Sequence, residues 1–342
     1  MTDPTFVFSV PIGPDHTDRL PLTLESLRAQ SASVKVALCN AGDKDPCLSI
    51  ISSYRDIVTY DRHGPDNGQS DAINEGWQAI DGDFYSWLNA DDHLVPNALE
   101  AVASAFANNP DIDVIYGQSL ILDENSQIIG LHPATGPDIE LITRSNIISQ
   151  PSCFYRKRLL DELGLLERDL HYTMDWELWI RIYIAIKTFL YLPEVFSSVL
   201  WEKGTKTSSL NHRRMREIYK LTRQTHGPYV AGKTYIGFAL HYLTEYSGIS
   251  GLAGRMLGHV SGGKFMPDPK WHLNPENGHQ VSIPIYHFSN TERPSISIEF
   301  INPVNCNIKI GSESATVYNS TQTKMRIDLG KVRLHDTRHV AR

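Results

Sequence analysis

Cysteine is scarce in this chain of 342 residues, which has only four, at positions 39, 47, 153 and 306. None stands in a Cys-x-x-Cys pair, which excludes the common zinc patterns and gives no sign of a disulfide framework. No apolar run reaches the roughly 18 residues of a membrane-spanning helix, and the first residues lack a signal segment. We therefore expect a protein of the reducing cytoplasm that is neither exported nor membrane-spanning.

Positive charge is also in deficit, since 32 Lys and Arg stand against 39 Asp and Glu, for a net charge of −7. Affinity for a phosphate backbone comes from clustered cations in a basic domain, so we expect no nucleic-acid partner. The sequence also lacks internal repeats and low-complexity tracts. A chain of this length is long for one core, which indicates two or more domains.

The first part of the chain alternates short apolar runs with segments of helical spacing. This pattern predicts an α/β fold with a doubly wound, mostly parallel sheet. The segment Ser119–Leu131 predicts a hairpin, and a strongly patterned helix begins near Asp175. The predicted strands are Phe6–Val10, Val34–Cys39, Ile57–Tyr60, Phe84–Leu88 and Val114–Tyr116.

Beyond residue 210 the pattern changes twice. Residues 211–265 predict a helical extension, and residues 266–342 have the period of two that is typical of antiparallel strands, for example at Ile296, Ile298 and Phe300. We therefore predict a first domain over residues 1–210, the extension, and a terminal β-rich domain or part of one. That last region could bind an acceptor glycan, mediate oligomerisation or join further modules, and the chain itself could continue.

Four ordered blocks stand out in the first 210 residues: Asp66-x-Gly68-Gln69-Ser70-Asp71-Ala72-Ile73-Asn74-x-Gly76, Trp87-Leu88-Asn89-Ala90-Asp91-Asp92, Gln150-Pro151-Ser152-Cys153-Phe154 and Met174-Asp175-Trp176-Glu177-Leu178-Trp179. Together they resemble the inverting glycosyltransferases of family 2, which have a GT-A fold. The resemblance implies a nucleoside-diphosphate-sugar donor, a divalent metal such as manganese or magnesium, and an acceptor hydroxyl on a glycan or lipid-linked molecule.

The tripeptide Asn89-Ala90-Asp91 stands where the family carries its Asp-x-Asp motif, at the predicted exit of a strand. By resemblance Asp91 binds the metal, Asp92 is a second candidate ligand, and Asn89 contributes to the donor pocket. Manganese and magnesium prefer oxygen ligands and need only one or two protein carboxylates beside phosphate and water. The alternative is a plain turn and N-cap before the next helix.

Asp175 begins a predicted helix, where the helix dipole favours an ionised carboxylate. By resemblance it is the catalytic base that takes the proton of the acceptor hydroxyl. A simple N-cap is the alternative from spacing alone. Glu177 is expected to pair with Arg181 on the same helix face rather than to act in chemistry.

Three further residues are expected in the donor pocket by resemblance: Pro11 after the first strand, Asn40 after the second, and Asp71 in the second block. Asn40 replaces the Asp that the family uses to recognise the base, although an amide both donates and accepts hydrogen bonds. Asp71 would equally stabilise the first turn of its helix.

The family often places a metal-approaching His near the end of its catalytic domain. Here Glu202 stands in that segment and is a candidate metal ligand, while Lys203 and Lys206 are candidates for neutralising the diphosphate. All three would also be ordinary solvated side chains.

We therefore expect a metal-dependent inverting glycosyltransferase, in surface polysaccharide biosynthesis by resemblance. A sugar nucleotidyltransferase is disfavoured because no Gly-rich basic loop follows the first strand, and a non-catalytic glycan-binding scaffold with a decayed donor site is the alternative. A basic run after residue 211 would contact anionic lipids at the inner face of the membrane or simply be solvated. It consists of Arg213, Arg214, Arg216, Lys220 and Arg223.

Overall fold

The computed structural model describes residues 4–14, 17–122, 128–132, 139–200 and 211–246, together with six strands after residue 282. The chain divides into two compact units, one of Met1–Leu192 and Phe196–Trp271 and the other of Pro193–Val195 and His272–Arg342. The predicted domain boundaries at residues 210 and 265 stay predictions.

Four parallel strands form one half of the main sheet: β1 (Thr5–Ile12), β2 (Ser33–Asn40), β3 (Val58–His63) and β4 (Phe84–Trp87). They lie in the order β3-β2-β1-β4. The helices between them are α1 (Leu20–Arg28), α2 (Lys44–Ser52) and α3 (Gln69–Ala79). The predicted α/β architecture is therefore confirmed.

The other half of the sheet is largely antiparallel. Its strands are β5 (His93–Leu94), β6 (Val114–Leu122), β7 (Ile128–Leu131), β8 (Cys153–Arg156) and β9 (Phe189–Leu200). The sheet continues from β4 in the order β8-β6-β9-β5, and β7 pairs with β6, which confirms the predicted hairpin. Strand β8 runs antiparallel to both β4 and β6, an insertion that the sequence pattern did not predict.

The remaining helices are α4 (Ala98–Asn108), α5 (Lys157–Leu163), α6 (Met174–Ile184) and α7 (His212–Tyr246), with 3-10 turns at Ile139–Thr143 and Gln150–Ser152. Helix α7 is interrupted at Gly227, which has a φ of 78° and is followed by Pro228. Pro cannot donate the backbone hydrogen bond that would continue the first helical segment, so the helix bends there. Among the described helices, none combines the length and apolarity needed to cross a membrane.

Aromatic packing fixes α6 against the sheet. The rings of Trp87 on β4 and Tyr155 on β8 stack with centroids 6.3 Å apart, and Trp77 of α3 meets Trp87 edge to face at 5.4 Å. The indole N–H of Trp179 donates to the Tyr155 hydroxyl at 2.7 Å, which satisfies two buried polar groups at once. The position of α6 relative to the end of β4 is thus set by fully buried side chains.

The second unit contains the six C-terminal strands: β10 (Ile283–Tyr286), β11 (Ser295–Glu299), β12 (Cys306–Ile310), β13 (Glu313–Val317), β14 (Lys324–Asp328) and β15 (Arg338–Ala341). They form a four-stranded sheet in the order β10-β15-β12-β13 and a two-stranded pair β11-β14. All of these pairs are antiparallel, in agreement with the period-two pattern.

Gly76 allows α3 to lie close to the parallel strands. A Cβ atom built there would come within 2.9 Å of the Ala37 Cβ on β2 and 3.0 Å of the Ser9 Cβ on β1. Both neighbours are fully buried and belong to the core of the sheet, so they cannot retreat without moving it. This glycine determines how closely α3 approaches β1 and β2.

We predict that Gly76→Ala lowers the free energy of unfolding by about 1–3 kcal/mol, the usual cost of overpacking a core. Chemical denaturation followed by tryptophan fluorescence would measure the change. Gly232→Ala in α7 is the matched control, because its added methyl group meets nothing within 4 Å and Ala is the better helix former. Equal stability of the Gly76 variant and the wild type would contradict the close packing described here.

Candidate active site

The carboxyl ends of the four parallel strands meet along one edge of the sheet. In the strand registers Ile12 lies beside Asn40, and Asn40 beside His63, so the loops after β1, β2 and β3 start next to each other. Pro11 is buried at the end of β1 and can offer this edge only its backbone and ring. In open α/β sheets this edge is where ligands bind.

The Asn40 side chain is almost completely buried and organises the loop after β2. Its Nδ2 donates to the Asp43 carbonyl at 2.8 Å and lies 3.2 Å from His63 Nδ1, while its Oδ1 accepts from the Gly42 N–H at 2.9 Å. The other His63 nitrogen lies 3.2 Å from an Asp61 carboxylate oxygen. Asn40 therefore holds the loop after β2 in shape, and recognition of a base by this amide stays a prediction.

Asp71 lies in the first turn of α3 and is engaged on both carboxylate oxygens. One oxygen faces Arg168 Nε at 3.1 Å, and the other accepts from the Asn67 side chain at 3.1 Å. The preceding Gly68 has a φ of 117°, a conformation that favours glycine, and forms the N-cap of α3. Asp71 thus supports the turn that leads into α3, and its place in a donor pocket also stays a prediction.

Half-buried Asn89 and buried Asp92 form a hydrogen-bonded turn after β4. Asn89 Oδ1 accepts from Gln69 Nε2 at 2.6 Å, and its Nδ2 donates to Asp92 Oδ2 at 2.8 Å. Burial, and then the charge of Asp91, raises the pKa of Asp92 well above its usual range, against hydrogen bonds from Asn89 and the Leu200 N–H. Asp92 therefore joins the ends of β4 and β9 rather than pointing to solvent.

Asp91 is the more exposed acid of this turn, and it is half-buried. Within the described residues, no group of three or more His, Cys, Asp and Glu side chains has the geometry of a metal site. One carboxylate is still sufficient where phosphate and water supply the other oxygen ligands. Asp91 fits that requirement better than Asp92, because Asp91 is half-buried whereas Asp92 is only 5% exposed. The third candidate ligand, Glu202, lies outside the described residues.

Asp175 is the second residue of α6, and its carboxylate is held by several donors. Its Oδ1 accepts from the Trp176 N–H at 2.7 Å, and the Asn146 side chain donates to it as well. Burial nevertheless raises the pKa of Asp175 from 3.8 to about 6, while these hydrogen bonds and the charge of Arg214 oppose the rise. A carboxyl with this pKa exchanges protons near neutral pH, as a general base requires.

Helix α3 connects the turn after β4 with Asp175. Gln69 contacts Asn89, and the adjacent Ser70 hydroxyl lies 2.8 Å from the Met174 sulfur and 3.1 Å from the Leu170 carbonyl. One turn further along, the Asn74 side chain both donates to and accepts from the backbone of Leu166. The first turn of α3 therefore contacts the Asn89 turn on one side and the residue before Asp175 on the other.

Several residues around Asp175 were not predicted. Asn146 belongs to no recognised block, and its Oδ1 is buried without a hydrogen-bond partner among the described residues. Arg214 was grouped with the basic run, and only the fold brings its charge to Asp175. Glu177 pairs with Arg181 at 2.8 Å, as the spacing predicted.

Comparison with known proteins agrees with this geometry. Residues 17–164 match the family model described as Glycosyl transferase family 2. An uncharacterized glycosyltransferase of Rickettsia typhi is 24% identical over 221 residues, which cover 59% of this chain and 68% of that protein.

Two solved structures share the fold. Staphylococcus aureus TarS 1–349, in complex with UDP-GlcNAc, superposes with a TM-score of 0.52 at 16% identity, covering 70% of this chain and 73% of that one. The mannosyltransferase PcManGT from Pyrobaculum calidifontis, in complex with GDP-Man and Mn²⁺, gives a TM-score of 0.52 at 14% identity, covering 77% and 81%. Residues 17–164 therefore form a glycosyltransferase family 2 domain, which supports a transferase, and the fold around them matches that of GT-A structures.

Proposed function

We propose that this protein is a metal-dependent inverting glycosyltransferase that moves a sugar from a nucleoside-diphosphate donor to the hydroxyl of a glycan or lipid-linked acceptor, in surface polysaccharide biosynthesis. One observation carries the proposal. Asp175, an acid whose pKa is raised to about 6, lies at the N-terminus of α6, and α3 connects that point to the turn after β4. A base and a donor-side turn are thus held by one rigid element.

In the proposed mechanism the Asp175 carboxylate takes the proton from the attacking acceptor hydroxyl as that oxygen bonds to the anomeric carbon. The bond from that carbon to the diphosphate breaks at the same time, so the configuration inverts. The Trp176 N–H and the Asn146 amide orient the carboxylate before the acceptor binds. Because this preorganised base needs no rearrangement, the protein contributes both proximity and proton transfer.

Asp91 is the residue we propose to hold a divalent cation, with Asp92 as a second ligand only if its bonds to Asn89 and Leu200 are exchanged. When bound, such a cation would stabilise the negative charge of the leaving diphosphate. Asn89 and Gln69 would keep the turn in place during donor binding. Pro11, Asn40 and Asp71 are proposed to border the nucleotide, and Glu202 remains a candidate metal ligand.

We predict that a panel of UDP-, GDP- and dTDP-sugars with manganese or magnesium contains one donor from which wild-type protein releases nucleoside diphosphate, with water as a slow acceptor. UDP-GlcNAc and GDP-Man come first, since the two structural neighbours bind them. Asp175→Asn should lower this rate by roughly a hundred- to ten-thousand-fold, the usual contribution of a general base. Wild-type activity should rise with pH through a value near 6, as Asp175 ionises.

A stability measurement distinguishes an Asp175→Asn protein that has lost only the base from one that has lost its fold. The pKa of Asp175 is about 6 in the folded chain and 3.8 ordinarily, so the fold favours the protonated carboxyl. The stability that the protonated Asp175 contributes is present below pH 3.8 and is lost as the pH rises through 6. At pH 8 Asp175→Asn should therefore be the more stable protein, by up to about 3 kcal/mol. Asp169→Asn, an exposed acid of the same loop, is the matched control. Full activity of Asp175→Asn would refute the assignment, and absence of both turnover and nucleotide binding would favour the non-catalytic scaffold.

We predict that Asp91→Asn weakens manganese-dependent binding of the nucleoside diphosphate by about tenfold or more, the effect of losing roughly 1.4 kcal/mol or more of a metal-ligand interaction. Calorimetry with and without manganese would measure it. Asp92→Asn is the comparison, and it should leave metal-dependent affinity nearly unchanged without loss of stability, because burial and the charge of Asp91 already disfavour the ionised form of Asp92. Unchanged metal dependence in the Asp91 variant would exclude Asp91 as the ligand.

The basic run on α7 supports a separate proposal of contact with anionic lipid. Arg213, Arg216, Lys220 and Arg223 are exposed, and their spacing places them on one face of the helix. We predict that the protein floats with anionic vesicles and not with zwitterionic ones, and that Arg216→Glu with Lys220→Glu abolishes flotation. Absence of flotation at low salt would remove the proposed location at the membrane face.

A further inference from the structure

Helix α7 follows the region that resembles the family, yet Asn211 and the first two turns of α7 make hydrogen bonds to the loop that immediately precedes Asp175. Asn211, just before the helix, donates to the Tyr172 hydroxyl, and Arg213 donates to the Asp169 carbonyl at 3.4 Å. Glu217, one turn further on, makes the most extensive contacts. Three residues of this segment thus bind the loop of residues 169–173.

The Glu217 carboxylate accepts hydrogen bonds from three consecutive backbone N–H groups. The distances to its oxygens are 3.1 Å from His171, 2.8 Å from Tyr172 and 3.2 Å from Thr173. The Thr173 hydroxyl adds a contact at 3.4 Å, and Arg213 pairs with the other oxygen at 3.2 Å. With an exposed fraction of 8%, Glu217 is too buried to serve as an ordinary surface acid.

This carboxylate anchors the backbone immediately before α6. Thr173 is the N-cap residue of α6, but its side chain makes no capping hydrogen bond. The N-terminus of a helix favours negative charge, and Glu217 supplies that charge from another helix while it holds the Thr173 N–H and the two N–H groups before it. Asp175 lies two residues after Thr173, so any motion of this backbone moves the base.

The other side of the Asp175 environment is also held by α7. His226 lies 2.7 Å from the Thr143 hydroxyl, at the end of the 3-10 turn that precedes Asn146. The Trp176 indole donates to the Ile142 carbonyl of the same turn at 2.5 Å. Both segments that carry groups onto the Asp175 carboxylate therefore rest on α7.

We propose that Glu217 is a positioning residue for Asp175, so that α7 is a functional part of the active site rather than an accessory extension. The inference rests on the proposed role of Asp175 as the base. Glu217 touches no reacting atom. It acts by holding the backbone of residues 171–173, from which α6 and its acid start.

The kinetic test compares Glu217→Ala, Glu217→Gln and the wild type. Glu217→Ala should lower kcat roughly a hundredfold, the effect of misplacing a catalytic group by about 1 Å, while the donor KM and the nucleotide Kd change less than about twofold. Glu217→Gln keeps an amide oxygen that accepts from the N–H groups and should recover a substantial part of kcat. Gln224→Ala, at an exposed position two turns further along α7, should leave kcat unchanged.

A second measurement does not depend on turnover. The difference in melting temperature between each protein and its Asp175→Asn counterpart, followed from pH 4 to 8, reports the titration of the Asp175 carboxyl in the wild-type and Glu217→Ala backgrounds. Release of the loop should move that titration from near 6 toward the ordinary 3.8. A shifted titration supports positioning even if no donor in the panel is turned over, which would count against the proposed function alone.

Two outcomes would overturn the inference. One is an unchanged kcat and an unchanged Asp175 titration in a folded Glu217→Ala protein. The other is an equal loss of kcat and nucleotide affinity in both Glu217 variants, which would mean that Glu217 supports the fold in general. If Glu217→Ala does not fold, the same two measurements on Glu217→Gln decide the question.

Discussion

The rest of this site depends on the contacts that the first turn of α3 makes with the turn after β4 and with the start of α6. Gln69 and Ser70 are neighbours in sequence, yet one bonds to Asn89 after β4 and the other to Met174 before Asp175. A helix turn is stiff because its backbone hydrogen bonds fix each residue relative to the next. The distance between the turn after β4 and Asp175 is thus set by two adjacent side chains. The close approach of Gly76 to β1 and β2 anchors the same helix to the sheet.

Three carboxylates in this unit differ in role because their surroundings differ. Burial and then the charge of Asp91 keep the pKa of Asp92 high, while hydrogen bonds from Asn89 and the Leu200 N–H make Asp92 a structural joint. Glu217 is buried among the backbone N–H groups of residues 171–173 and an arginine, so it anchors the loop before α6. Asp175 is only half-buried, with a pKa near 6, so it alone combines access with a titration close to neutral pH. Proximity in sequence to a motif does not distinguish these cases.

Departures from the family pattern also acquire a physical meaning. Asn40 and Asn89 stand where the family carries acids, and each amide here both donates and accepts within its own turn. An Asp at either position would lose the donated bond, to the Asp43 carbonyl in one case and to Asp92 in the other. Asn89 further avoids placing a third carboxylate beside Asp91 and Asp92, where like charges would raise the pKa values of all three.

The parallel half of the sheet and the helices α1, α3 and α4 were predictable, because long apolar stripes with a clear period determine which face is buried. The strands β8 and β5 were not, since β5 has only two residues and β8 directly follows a 3-10 turn and directly precedes α5, with no loop residues to mark its ends. The exit of β4 and the acid at the start of α6 were likewise visible in the order of residues. Their joint position could not be deduced from spacing, because about 80 residues and an antiparallel insertion separate them.

The sequence alone specified the family, the alternation of strands and helices, and the identity of Asp91 and Asp175 as candidates, since each depends on local pattern or on ordered motifs. Only folding distinguished the buried Asp92 from Asp91, and only folding brought Asn146, Arg214 and Glu217 to Asp175. The reason is that a side chain's partners and its exposure to water are properties of packing between distant segments. The roles of these carboxylates depend on that packing.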